Sequence, residues 1–219
     1  MQLLSQLPGH HANSFTACRY KGITYVGLSN GAINKVDKLG NNTANFIKLT
    51  YVVITIRAHM DQLFILENGN PSKIHVYDLT GRVVKSWTHT GTSSRGNYHG
   101  NKLFLSKNEV FVADALNSRI VLYDLSGNLK RTIPCPTMQK TYTSMCSAGK
   151  DCVIITSYSP SQASMFNFKT GTVVWTTALT YHPFSSTCLA QTVLVGLNGY
   201  DHARGIWIDV LNIENGECY

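Results

Sequence analysis

The sequence is short of charge, of helical periodicity and of long apolar runs. Asp and Glu number 12 against 19 Lys and Arg, and charged residues make up only 14% of the chain while hydrophobic ones make up 43%. That balance can bury a core and excludes intrinsic disorder. The longest apolar stretch, Tyr51 to Ile56, is interrupted at Thr55, far below the roughly 20 residues of a membrane-spanning helix. No membrane insertion is expected. No window of a dozen residues spaces apolar positions by three and four without a Gly, Pro or β-branched interruption, which excludes a helical fold.

Other absences narrow the chemistry. The six cysteines (Cys18, Cys135, Cys146, Cys152, Cys188, Cys218) form no Cys-x-x-Cys pair and are too sparse for a small disulfide scaffold. They read as buried thiols, with a Cys146–Cys152 cross-strand bridge open in an oxidising compartment. Met1–Gly9 has neither the basic nor the apolar region of a secretory signal, so the expected location is cytoplasmic, or extracellular for a piece of a larger protein. There is no Gly-x-Ser-x-Gly elbow, His-Glu-x-x-His pair, phosphate-binding glycine loop or EF-hand loop. Asn41-Asn42-Thr43 is a lone glycosylation sequon.

What is present is a repeat. VDKLG, YDLTG, YDLSG, NFKTG and NIENG end at Gly40, Gly81, Gly127, Gly171 and Gly216, spaced by 41, 46, 44 and 45 residues. Each glycine follows two apolar, β-branched stretches such as EVFVAD and RIVLYD. A further stretch comes after the glycine (RVVKSW, NLKRTI, TVVWTT) and another precedes the first (SFTACRY, VITIRAH, KLFLS). Four strands per period of about 44 residues make one propeller blade. The Asp-x-x-Gly hairpin needs a residue that tolerates positive φ. The expectation is an all-β, five-bladed β-propeller of four-stranded antiparallel blades in one domain, 1–219. Its blades cover about 14–48, 53–88, 100–133, 141–178 and 184–219, and residues 2–7 add the missing strand of the last blade and close the ring.

The third repeat, EVFVADALNSRIVLYDLSGNLKRTI from Glu109 to Ile133, resembles an NHL repeat, whose hallmark is a strand ending Val-Ala-Asp, then Asn-x-Arg-Ile and an Asp-x-x-Gly turn. Leu28, Glu67, Thr156 and Leu197 stand where this repeat has Asp114.

Segments joining the fourth strand to the next blade, and the second strand to the third, should emerge on one face, where such folds place ligands. Six of the eight histidines fall there (His10, His11, His89, His99, His182, His202), with Tyr51, Tyr98, Tyr158, Tyr181 and Tyr200. The pairs Tyr98-His99 and Tyr181-His182 sit at matching places. Arg95, Lys140 and Arg204 balance Glu67, Asp114 and Asp201 in these loops, so the face is expected to be neutral and the surplus charge to lie elsewhere.

Three readings follow. The first is a non-enzymatic, lectin-like recognition module binding a glycan or a peptide or protein partner. Its ligand-binding residues are His11, Tyr51, Asn68, Arg95, Tyr98, His99, Tyr158, Tyr181, His182, Tyr200, His202 and Arg204, which offer flat faces with hydrogen-bonding edges. No cofactor is expected in that case. The second is an RNA-binding propeller, implied by the resemblance to NHL domains and by the basic charge, using Lys21, Lys38, Lys107, Arg82, Lys85, Lys130 and Arg131. The third is a metal-dependent, lyase-like enzyme in which His11, His99 and His182 hold zinc or another divalent metal, an arrangement similar to that of NHL-like amidating lyases.

Overall fold

The computed structural model describes residues 14–89, 101–106, 108–138, 142–149, 151–189, 192–198 and 207–212. These residues form five antiparallel meanders. The first sheet holds β1 (Ser14–Tyr20), β2 (Ile23–Leu28), β3 (Ala32–Val36) and β4 (Asn42–Lys48); the second holds β5 (Val52–His59), β6 (Gln62–Asn68), β7 (Lys73–Asp78) and β8 (Val83–Thr88). The third holds β9 (Asn101–Ser106), β10 (Glu109–Asp114), β11 (Arg119–Asp124) and β12 (Leu129–Pro134). The fourth holds β13 (Tyr142–Ser147), β14 (Cys152–Ser157), β15 (Gln162–Asn167) and β16 (Thr172–Ala178). The fifth has three strands among the described residues, β17 (His182–Leu189), β18 (Thr192–Asn198) and β19 (Trp207–Asn212). The strand expected from residues 2–7 lies outside the described residues.

The chain divides into two compact units, residues 1–96 with the first two sheets and 97–219 with the other three. In both, the middle strands are largely buried. β6 buries five consecutive residues and β10 the last five of its six. The fourth strands β8, β12 and β16 are mostly exposed. In the first unit the core lies between sheets one and two, with Tyr25, Ile33, Val53, Ile56 and Leu63 at its centre. In the second, Phe104, Phe111, Ile120, Phe166 and Phe168 fill the space between sheets three and four, and Ile154, Met165, Val193 and Val195 that between four and five.

Within a unit, consecutive sheets meet along their leading strands, and a β-bulge shapes that meeting. The register shifts by one residue at Ser14/Thr16, Val53/Thr55, Tyr142/Ser144 and Pro183/Ser185, whereas β9 pairs regularly with β10. Beyond the bulge a hydroxyl bridges to the next sheet. Ile56 N donates to Thr16 Oγ1 at 3.4 Å, and Ser144 Oγ lies 2.5 Å from Ser186 Oγ. Two residues further on, Cys146 is disulfide-bonded to Cys188. The open Cys146–Cys152 pairing is thus corrected: Cys146 stands opposite Ile154, and Cys152 lies beside Ala148. Closing a loop of 42 residues removes roughly 4 kcal/mol of chain entropy from the unfolded state. Cys18, Cys135 and Cys152 are thiols.

The turns explain the repeat. Asp37, Asp78 and Asp124 each accept backbone N–H bonds two and four residues on, at 2.8–3.0 Å. Gly40, Gly81 and Gly127 follow at φ near +90°. In the fourth sheet Asn167 takes the aspartate's place and the turn is one residue longer, Gly171 N donating to Asn167 O where Gly127 N reaches Asp124 O. Ser157, not Thr156, pairs like Asp114, opposite Gln162 as Asp114 is opposite Arg119.

Two tests follow. Gly31 has φ +82°, and a Cβ there would lie 2.6 Å from the carbonyl oxygens of both Leu49 and Tyr51, whereas Gly22 at φ +80° has open space. Gly31→Ala should cost about 2–4 kcal/mol and Gly22→Ala about 1 kcal/mol in urea unfolding; equal costs would remove the close approach. Separately, Cys18 and Ala58 pack together against the first-unit core, at the rung where Cys146 meets Cys188. Ala58→Cys should crosslink to Cys18 under mild oxidation, seen as joined peptides in non-reducing mass spectrometry. No link under conditions that join Cys146 to Cys188 would break the equivalence.

Candidate functional site

Antiparallel order puts the second-to-third-strand loops and the segments leading into the next sheet at one end of each unit, and the tight turns at the other. At the loop end one bond recurs: the N–H just after the fourth strand donates to the last carbonyl of the loop. Leu49 to Gly31, His89 to Ser72, Cys135 to Ser118 and Leu179 to Ser161 do so at 2.8–3.0 Å. These bonds fix where the connecting segments leave the sheet.

In the first unit the connecting segment is Leu49-Thr50-Tyr51. Tyr51 N donates to Glu67 Oε1 at 2.8 Å, and the other oxygen of Glu67 lies 2.9 Å from His75 Nε2. Glu67 is 4% exposed. Burial pushes its carboxyl up, but bonds from His75 and from the Tyr51 and Thr50 backbone together outweigh this and hold it below the ordinary value. The backbone is clamped and the ring is not: Tyr51 is 53% exposed, its edge about 3 Å from where a side chain on Gly69 would begin. Asn68 is half-buried at the end of β6. Lys48 closes the other side, its Nζ 2.7 Å from Asn30 O.

The second unit repeats the element. Leu179-Thr180-Tyr181 has its Thr180 N–H on Asp209 Oδ2 at 3.2 Å, and Tyr181 is 42% exposed. Beside it His182, expected in a loop, opens β17 and stacks on Tyr158, with centroids 4.0 Å apart and planes 13° apart. His182 Nδ1 lies 2.9 Å from Tyr158 O and 2.7 Å from Ser161 Oγ. A carbonyl only accepts, so Nδ1 carries the proton in its bond to Tyr158 O. With Nδ1 protonated, His182 cannot draw the proton from Ser161, and the pair is no acyl-transfer dyad.

The expected site residues thus fall into separate groups. Tyr51 and Asn68 come together in the first unit, and Tyr158, Tyr181 and His182 in the second. His10, His11, Arg95, Tyr98, His99, Tyr200, His202 and Arg204 lie outside the described residues. His89, expected in a loop, is buried. Of the three imidazoles considered for a metal, His182 alone is described; among the described residues no group of three metal-binding side chains occurs. Among the cations considered for RNA, Lys21 pairs with Asp61 and Lys130 with Glu109, Lys38 and Arg82 sit at the turn end, Lys85 and Arg131 lie on β8 and β12, and Lys107 is outside the described residues.

The expected charge balance needs correction. Asp114 is fully buried and paired with Arg119 at 2.7 Å and Asn117, and Glu67 is buried as described, so neither presents charge to solvent. Ten of the cations but only four carboxylates belong to residues 1–96, so nearly all of the +7 resides in the first unit. Lys48 and Lys73, counted with strands in the sequence, stand exposed at their loop ends. The signal that would have located this site is the repeated Leu-Thr-Tyr, 130 positions apart.

No family model and no curated protein matches this sequence. Solved structures do. The computationally designed Ika8 protein matches with TM-score 0.65 and 18% identity over 96% of this chain and 62% of that one. BamB from Moraxella catarrhalis matches at 0.58 and 18%, over 94% and 63%. The WD40 β-propeller domain of Doa1 matches at 0.72 and 14%, over 94% and 67%. The fold is a β-propeller. The chain spans less than two thirds of the length of the first two. With 1178 matching chains, the likeness fixes an architecture and leaves the ligand to the site. No helix among the described residues is long and apolar enough to cross a membrane.

The Glu67 clamp generates a pH test. A carboxyl held below its ordinary value near 4.5 contributes its full stability above that pH and loses it as pH falls through the folded value. Wild type should exceed Glu67→Gln by about 2 kcal/mol in urea unfolding at neutral pH, and the gap should close on acidification. A gap that does not narrow at all as pH falls below the ordinary glutamate range would contradict the clamp.

Proposed function

We propose that the chain is a non-enzymatic recognition module whose loop end binds a glycan or a peptide segment of a protein. The observation that carries this is the pair of tyrosines in equivalent Leu-Thr-Tyr elements. Each ring is about half exposed, while a carboxylate of the following sheet holds the backbone N–H of Tyr51 itself in one element and of Thr180, the residue before Tyr181, in the other. An exposed ring on a clamped backbone gives up little conformational freedom on binding, which is what makes tyrosine effective at interfaces. Amides at Asn68 and Asn70 and the stacked Tyr158–His182 pair add hydrogen-bonding edges nearby in their respective units. The resemblance of Glu109–Ile133 to an NHL repeat supports the same class of role. The Cys146–Cys188 bond supports an oxidising compartment, since such bonds persist outside the reducing cytosol.

Panning the intact protein against a glycan array and a random-peptide display library should yield a ligand. Its affinity should fall at least tenfold in Tyr51→Ala or Tyr181→Ala, with the unfolding midpoint nearly unchanged. If both substitutions leave binding untouched, or no ligand is retained by either panel, the reading fails.

A further inference from the structure

The first unit is electrically polarised from end to end. Residues 1–96 contain four carboxylate side chains in all: Asp37, Asp61, Glu67 and Asp78. Asp37 and Asp78 form the hairpin turns and Asp61 the turn after β5, where it pairs with Lys21, so three of the four sit at the turn end. The fourth, Glu67, is at the loop end but buried, with one oxygen on Tyr51 N and the other on His75. No exposed carboxylate of this unit is therefore left at the loop end.

That end does carry exposed cations. Lys48 is anchored by one of its three N–H groups on Asn30 O and has two others to offer. Lys73 is exposed at the start of β7 and is the direct cross-strand neighbour of Glu67. A chain of contacts links both to the tyrosine. Lys73 stands beside Glu67, Glu67 holds Tyr51, and the Tyr51 carbonyl closes on Gly31, next to the Asn30 carbonyl that Lys48 holds.

We infer that this loop end takes an acidic peptide, with Asp or Glu carboxylates on Lys48 and Lys73 and an apolar or aromatic side chain against Tyr51. The inference rests on the recognition reading and names its ligand class. Two ammonium groups suit one or two carboxylates. They are too few for the several phosphate contacts that give a nucleic acid its affinity. An exposed ring beside two cations fits a mixed acidic and apolar segment better than a uniformly charged polymer.

The test uses the full chain and the random-peptide library. Selected peptides should be enriched in Asp and Glu. A selected peptide, followed by fluorescence anisotropy, should bind about tenfold more weakly to Lys48→Gln/Lys73→Gln and several-fold more weakly when ionic strength is raised tenfold. Lys38→Gln, at the turn end, should bind as wild type does. Lys73→Gln alone, which disturbs no bond made by Lys48, should still weaken binding if the double variant unfolds. Enrichment of neutral peptides whose binding needs Tyr51 but neither lysine would overturn the acidic assignment and leave the recognition reading standing. Retention of no peptide at all would remove this proposal. Displacement of the peptide by an equal concentration of an eight-nucleotide RNA would overturn it in favour of nucleic acid.

Discussion

Within each unit, everything described depends on how closely successive leading strands approach. A bulge in the leading strand swings one residue out of the ladder and brings the next, a hydroxyl residue, against the neighbouring sheet. Thr16 meets Ile56 in this way and Ser144 meets Ser186. With the strands this close, the apolar faces of consecutive sheets interlock and fill the core between them. Cys146–Cys188 is a covalent version of a contact that Cys18 and Ala58 make without a bond. The hydroxyl bridge recurs in both units, so the disulfide reinforces a packing that does not depend on it.

The same approach shapes the loop end. Because each sheet leans on the next, a connecting segment lies against the following sheet, and a carboxylate of that sheet can reach back to hold it. Glu67 does so for Thr50 and Tyr51, and Asp209 for Thr180. The carboxylates are consumed in this structural task. The charge of Glu67 is withdrawn from the surface, and in the first unit the lysines around it set the potential a partner meets. A tally of charges over loops treats a clamped, buried Glu67 and an exposed Lys48 as equals, and it misplaces the field for that reason.

The strand order was legible because local chemistry writes it. Asp-x-x-Gly needs its glycine at positive φ and its aspartate on two backbone N–H groups, so the turn recurs wherever the hairpin does. The reading slipped by one residue in the fourth sheet, where Ser157 and not Thr156 holds the place of Asp114. It also could not pair Cys146 with Cys188. Nothing near Cys146 in the sequence separates a partner one strand away from a partner one sheet away.

By itself the sequence determined the all-β class, the fivefold repeat and the described strands of each sheet, since turn propensity and β-branched alternation act over a few residues. It also determined the uneven charge of its two halves. Only the tertiary structure decided which carboxylates are spent inside, which tyrosines stay exposed and which thiols meet. Those outcomes depend on contacts between residues about 16 to 42 positions apart, and no local pattern encodes the distance across a sheet interface.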